Sequence, residues 1–174
     1  VERKFDKKEI LVYNAKKEDI EGLTTFKGLV KYKKEKGSSI LLIPSHPFYF
    51  TKQCIGDKLE EYIDLFDGIE WCHLYTWFIN PNKKAKKISE KHDLPLIGSS
   101  DAHHFFQIGH TYALIGVRDA NNITIEEVFS AVRSKKIKLV TKPLNSLTLL
   151  KIILWVIKTH LNRLGNKSKN YWGE

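Results

Sequence analysis

Ile40-Leu-Leu-Ile-Pro44 contains no polar residue. A strand that does not alternate must be covered on both faces, which is how strands of a parallel sheet read. The rest of the chain supplies what such a sheet needs. Short β-branched or apolar runs recur at Glu9–Tyr13, Gly68–Trp71, Leu94–Ile97, Thr111–Ile115 and Lys138–Val140. Helical patterns lie among them. One runs from Thr24 or Thr25 to Lys36, with Phe26, Leu29 and Val30 as its apolar stripe and Gly37 as its stop. Others cover Asp57–Leu65 and Asn82–His92. Thr124-Ile-Glu-Glu127 is a capping box opening a further helix to about Ser134, and Ser146–Leu164 is a last, strongly apolar one. Strands alternating with helices predict βαβ units and a parallel sheet or barrel.

Three polar sites share one address in that expected fold. His46 follows the Ile40–Pro44 strand, Glu70 stands at the end of Gly68–Trp71, and Asp101 and His103 follow Leu94–Ile97 through a Gly98-Ser99-Ser100 turn. In a parallel sheet or barrel the carboxyl ends of the strands lie on one face, so these side chains are expected to converge. Clustered imidazoles and carboxylates suit zinc, manganese or iron. His104 and His110 flank the same loop and are candidate substrate contacts. For Trp71, Tyr75, Trp77 and Phe78, packing is the plainer use, and stacking on a nucleobase the sharper one.

Charge is uneven. The chain of 174 residues carries a net charge of +9, and from Arg133 onward there are ten Lys or Arg against the single acid Glu174. A basic tail on a neutral body points to phosphate-bearing partners. Cys54 and Cys72 form no CxxC pair, which argues against a zinc ribbon or disulfide framework and fits a reducing, cytoplasmic setting. No apolar run reaches the roughly 18 residues of a membrane span. The Leu147–Leu161 stretch is expected to pack or to join two copies of the chain rather than lie on a membrane.

Four motifs in order now carry a resemblance: Ile43-Pro44-Ser45-His46-Pro47-Phe48, then Phe66-Asp67-Gly68-Ile69-Glu70, then Asn82 with Ala85, then Gly98-Ser99-Ser100-Asp101-Ala102-His103 with Gly109 and Thr111. Together they resemble the PHP (polymerase and histidinol phosphatase) family of metal-dependent phosphoesterases. The resemblance implies a distorted (β/α)7 PHP-type barrel over residues 1–142 and a helical extension with a basic tail over 143–174. It implies about two or three divalent ions at the strand ends. His46, Asp101 and His103 would be ligands, Glu2 the bridging carboxylate, and Glu70 a support that touches no ion. The family's opening His-x-His strand and a later Asp-His loop have no counterpart here, and Asn14 stands where many members place another His. The chain also has no Met and begins Val1-Glu2-Arg3, so an N-terminal portion is expected beyond it.

The function implied is hydrolysis of a phosphomonoester or phosphodiester by a metal-bound hydroxide, with Asp101 and His103 at the reacting centre. Candidate substrates are a phosphorylated small molecule, a nucleotide or a nucleic-acid end. The alternatives are a catalytically incomplete PHP-like binding or structural module, and a basic nucleic-acid-binding protein.

Overall fold

The computed structural model of the chain describes residues 1–102 and 105–169. It divides into two compact units, one of Val1–His73 with Pro81–Lys142, the other of Leu74–Asn80 with the chain from Pro143 onward.

The first unit opens with a hairpin. β1 (Glu2–Phe5) and β2 (Lys8–Tyr13) pair antiparallel, joined by Asp6 and Lys7 alone. Both turn residues have positive φ, 48° and 68°, the backbone of a type I′ turn, which Asn-Gly usually supplies. Asp6 is held there from outside: its carboxylate accepts the Phe26 N–H at 3.0 Å and its own N–H donates to Thr24 O at 2.7 Å. After a single helical turn, α1 (Lys17–Ile20), comes α2 (Phe26–Lys36). Thr25 Oγ1 caps α2 by accepting from Gly28 N, and Gly37 ends it at φ 57°. The next strand, β3 (Leu41–Pro44), is buried at every position and pairs antiparallel with β2.

Further along lie α3 (Lys58–Glu61), β4 (Ile69–Trp71), α4 (Asn82–Lys91) and β5 (Leu96–Gly98), with β4 and β5 parallel. β6 (Thr111–Ile115) pairs antiparallel with β7 (Ile137–Thr141), and α5 (Ile125–Arg133) connects them. Thr124 caps α5 by accepting from Glu127 N, but the Glu127 carboxylate turns to Arg118 N instead of completing the box. Phe5, Ile10, Val12, Leu29, Leu42, Leu59 and Ile69 form a core with no exposed surface.

In the second unit, α6 (Ser146–Lys169) begins with Asn145 Oδ1 accepting from Thr148 N, and Leu144 N–H donates to Tyr75 O. Of the aromatic stretch, Tyr75 is buried while Trp77 and Phe78 are exposed. No helix among the described residues is long and apolar enough to cross a membrane.

The expected barrel is not what forms. Among the described residues there are three small sheets, of three, two and two strands, and none closes. The apolar run at 40–44 is buried as its composition requires, yet its neighbour β2 runs antiparallel to it, because burial on both faces constrains coverage and not strand direction. The two-residue turn between β1 and β2 leaves no room for a crossover helix, which a parallel pair needs. The helix expected over Asp57–Leu65 is also shorter: α3 gives way to a 3-10 turn at Ile63–Leu65.

Asp67, just before β4, ties distant segments together. Its Oδ2 accepts from Lys33 Nζ at 2.7 Å and Leu42 N at 2.8 Å, and its Oδ1 from Arg133 Nε at 2.8 Å. Arg133 further donates to Ser38 O and Ile40 O. Asp67→Ala removes the acceptor of the Leu42 N–H and the counter-ion of two largely buried cations, which keep only backbone carbonyls. We expect a loss of roughly 3 kcal/mol in urea unfolding, with Asp67→Asn losing less because it keeps an acceptor for Leu42.

Candidate metal centre

Strand parity puts two carboxylates side by side. Glu2 faces Leu11 across the hairpin and Lys4 faces Glu9. Since Glu9 and Leu11 are two apart on β2, Glu2 and Glu9 share a face as diagonal neighbours. The opposite face of β2 carries Ile10 and Val12 into the core. β3 runs back along β2, so the residue just past its end, His46, arrives at the start of β2. There Ser45 N–H donates to Glu9 O at 3.2 Å. His46 Nε2 lies 3.6 Å from Glu9 Oε2 and 4.0 Å from Glu2 Oε1. Glu2, Glu9 and His46 each offer a ligand atom within 4.8 Å of the others.

Glu70 supports this group from below. Almost fully buried in the middle of the short strand β4, its carboxylate accepts the His46 backbone N–H with one oxygen and the Ser99 hydroxyl with the other. The strand ends of β3, β4 and β5 therefore meet at one carboxylate. His46 itself has φ 27°, a strained backbone for a non-glycine residue, and the bond to Glu70 holds it. On its far side, His46 Nδ1 is 3.3 Å from Cys54 Sγ, which Thr51 Oγ1 also approaches at 3.2 Å.

Electrostatics follow from this packing. Burial disfavours the charged His46 ring, but the Cys54 sulfur and the carboxylates of Glu70 and Asp101 outweigh it and raise the pKa to about 9. Burial likewise opposes a Cys54 thiolate, and the hydrogen bonds from His46 and Thr51 overcome it and lower the thiol. Burial pushes the Glu70 carboxyl up against the opposing pull of Ser99 and His46. Tyr13 is raised by burial and by the carboxylates of Glu70 and Glu2.

The donor set fits a divalent cation of borderline hardness. Two carboxylates and one imidazole match ligands that bind such ions at about 2 Å each, and three protein ligands leave a position open, as reactive metal sites require. An open hollow of about 520 Å³ lined by Glu2, Arg3, Lys4 and Glu9 adjoins them. The Ser45 hydroxyl, next to His46 in the chain, is buried with no hydrogen-bond partner among the described residues.

Of the residues expected from sequence, Glu2 and His46 come together. Asp101 is exposed, with φ 39°, and lies outside the group of three, though its charge acts on His46, Glu70 and Tyr49. His110 precedes β6 and gives its carbonyl to Lys142 N. His103 and His104 lie outside the described residues. Glu9 is the addition. It had been assigned only to a strand, and the alternation of that strand, which sets Glu9 on the face opposite Ile10, is the signal that marks it.

Residues 80–137, about a third of the chain, match a family model described as PHP-associated. No curated protein matches the chain. Among solved structures, the crystal structure of PsfC from Pseudomonas syringae PB-5123 is similar in fold, with a TM-score of 0.63 at 18% identity. The match covers 92% of this chain and 65% of that one, so the chain spans less than two thirds of that protein's length. The PHP-associated match suggests a relation to PHP proteins over residues 80–137 and assigns no activity.

Two measurements check the geometry. A cation at His46 must displace a proton that the fold holds up to about pH 9. Apparent zinc affinity, read by chelator competition, should therefore climb with pH by about tenfold per unit and flatten above the His46 pKa. Glu70→Ala leaves the His46 N–H and Ser99 hydroxyl without their acceptor. It should cost about 2–3 kcal/mol in chemical denaturation, with Glu70→Gln retaining part.

Proposed function

We propose that the protein is a metal-dependent phosphoesterase that hydrolyses a phosphomonoester or phosphodiester, with Glu2, Glu9 and His46 holding a divalent zinc, manganese or iron ion. The observation that carries this reading is the approach of those three ligand atoms to within 4.8 Å of one another on one face of the hairpin. The PHP-associated match over residues 80–137 and the motif order around His46, Glu70, Asp101 and His103 support it. Asp101 and His103 are assigned here as further metal ligands and as catalytic groups. His104 and His110 are assigned to the substrate.

When bound, the cation supplies Lewis-acid polarisation of a phosphoryl oxygen and a water of lowered pKa. The chain's own residues do the rest. Glu2 and Glu9 place negative charge where a cation collects. Lys4, on the wall of the same hollow, attracts the substrate phosphate, and its Nζ already sits 3.4 Å from Glu9. Tyr13, its phenol kept protonated by burial and by the nearby carboxylates, can donate a hydrogen bond but not act as a base at neutral pH. Glu70 holds the His46 backbone in its strained turn, so the imidazole is aimed before any ligand arrives.

The test is metal content together with turnover of p-nitrophenyl phosphate and bis(p-nitrophenyl) phosphate after loading with zinc, manganese or ferrous iron. His46→Ala and Glu9→Ala should lose bound metal and lower turnover by at least about a hundredfold. A protein that takes up no metal and cleaves neither ester would overturn the reading and leave a binding or structural role.

A further inference from the structure

His46 is fixed at three points, and the third has no part in the chemistry described so far. Glu70 holds its backbone N–H, and Nε2 faces Glu9 and Glu2. Nδ1 meets Cys54 Sγ at 3.3 Å. The sulfur cannot share an ion with Nε2, because the two ring nitrogens point to opposite sides of the imidazole. Whatever Cys54 does for the site, it does through the ring.

The sulfur is held as firmly as the histidine. Cys54 is buried, with 4% of its surface exposed. Its N–H donates to Thr51 O at 3.3 Å, and Thr51 Oγ1 lies 3.2 Å from Sγ. The residue before it, Gln53, accepts the Glu9 backbone N–H on its carbonyl at 2.9 Å. One short turn, residues 51–54, thus carries both an anchor for the carboxylate strand and the partner of the imidazole.

An imidazole that binds a cation through Nε2 must be neutral, with its proton on Nδ1, and that N–H needs an acceptor inside the protein. A carboxylate or a carbonyl usually fills this place, and here the group within reach is the sulfur. We propose that Cys54 is a positioning residue for His46: its sulfur accepts the Nδ1–H, selects the tautomer with Nε2 open, and keeps the ring turned toward Glu2 and Glu9. The inference rests on the metal-centre reading above and adds a residue to it.

The experiment uses the zinc-loaded protein with 15N-labelled histidine. The expected spectrum has His46 Nδ1 bearing the proton and Nε2 shifted by the metal, a result that needs no variant and so no refolded mutant. Zinc affinity by chelator competition should fall by about 10- to 100-fold in Cys54→Ala, and Cys54→Ser, which restores an acceptor, should recover part of it. Wild-type affinity in Cys54→Ala would overturn the role of Cys54 and leave the metal centre standing, whereas a proton on Nε2 in the loaded protein would remove His46 as a ligand and the role of Cys54 with it. A wild-type chain that binds no zinc removes the metal centre and this inference together.

Discussion

The Glu70 carboxylate is the hinge of the structure. A carboxyl group so far from water is tolerated only when both of its oxygens are satisfied, and its two donors come from different loops. One is the His46 N–H after β3, the other the Ser99 hydroxyl after β5. The requirement to satisfy one buried group thus brings three strand ends to one point. Both loops also bear strain: His46 and, two residues beyond Ser99, Asp101 have positive φ. Non-glycine residues keep such a backbone only where surrounding bonds over-determine it. In these two loops the strained residues, His46 and Asp101, are ones that the sequence marks for chemistry.

How the metal centre is composed follows from strand direction. In a parallel sheet the ends of all strands would assemble a site. With β2 antiparallel to β3, the start of β2 lies beside the end of β3, and Glu9 meets His46. The hairpin parity then adds Glu2 on the same face. A single reversal of direction therefore changes which residues become neighbours while leaving His46 where its motif set it.

Much of this is legible in the residues themselves. The apolar run at 40–44 fixed a fully buried strand, Thr25 and Gly37 bracket α2 as their chemistry requires, and His46 and Glu2 are residues that the structure brings together. What the sequence concealed had physical causes. An apolar run carries no record of which way its neighbour points, so a barrel was expected where separate sheets form. Asp6-Lys7 lacks the Asn-Gly signature of its turn because the strain is met by tertiary bonds to Thr24 and Phe26 rather than by intrinsic preference. Glu9 was hidden by its place in a strand, and Cys54 because its partner is eight positions away with no motif between them.

Asp67 has a bearing on the order of assembly. Its partners stand 34 and 66 residues away along the chain, so the knot cannot tighten until α2, β3 and α5 have all been placed. Contacts of such long span close late, since the entropy of the intervening loops must be surrendered before the bonds repay it. The hairpin of β1 and β2 waits on a shorter span, since its turn is held by Thr24 and by Phe26, which is 20 residues from Asp6. The carboxylate face would then exist before the clamp that locks the unit, which casts Asp67 as the latch of folding rather than its nucleus.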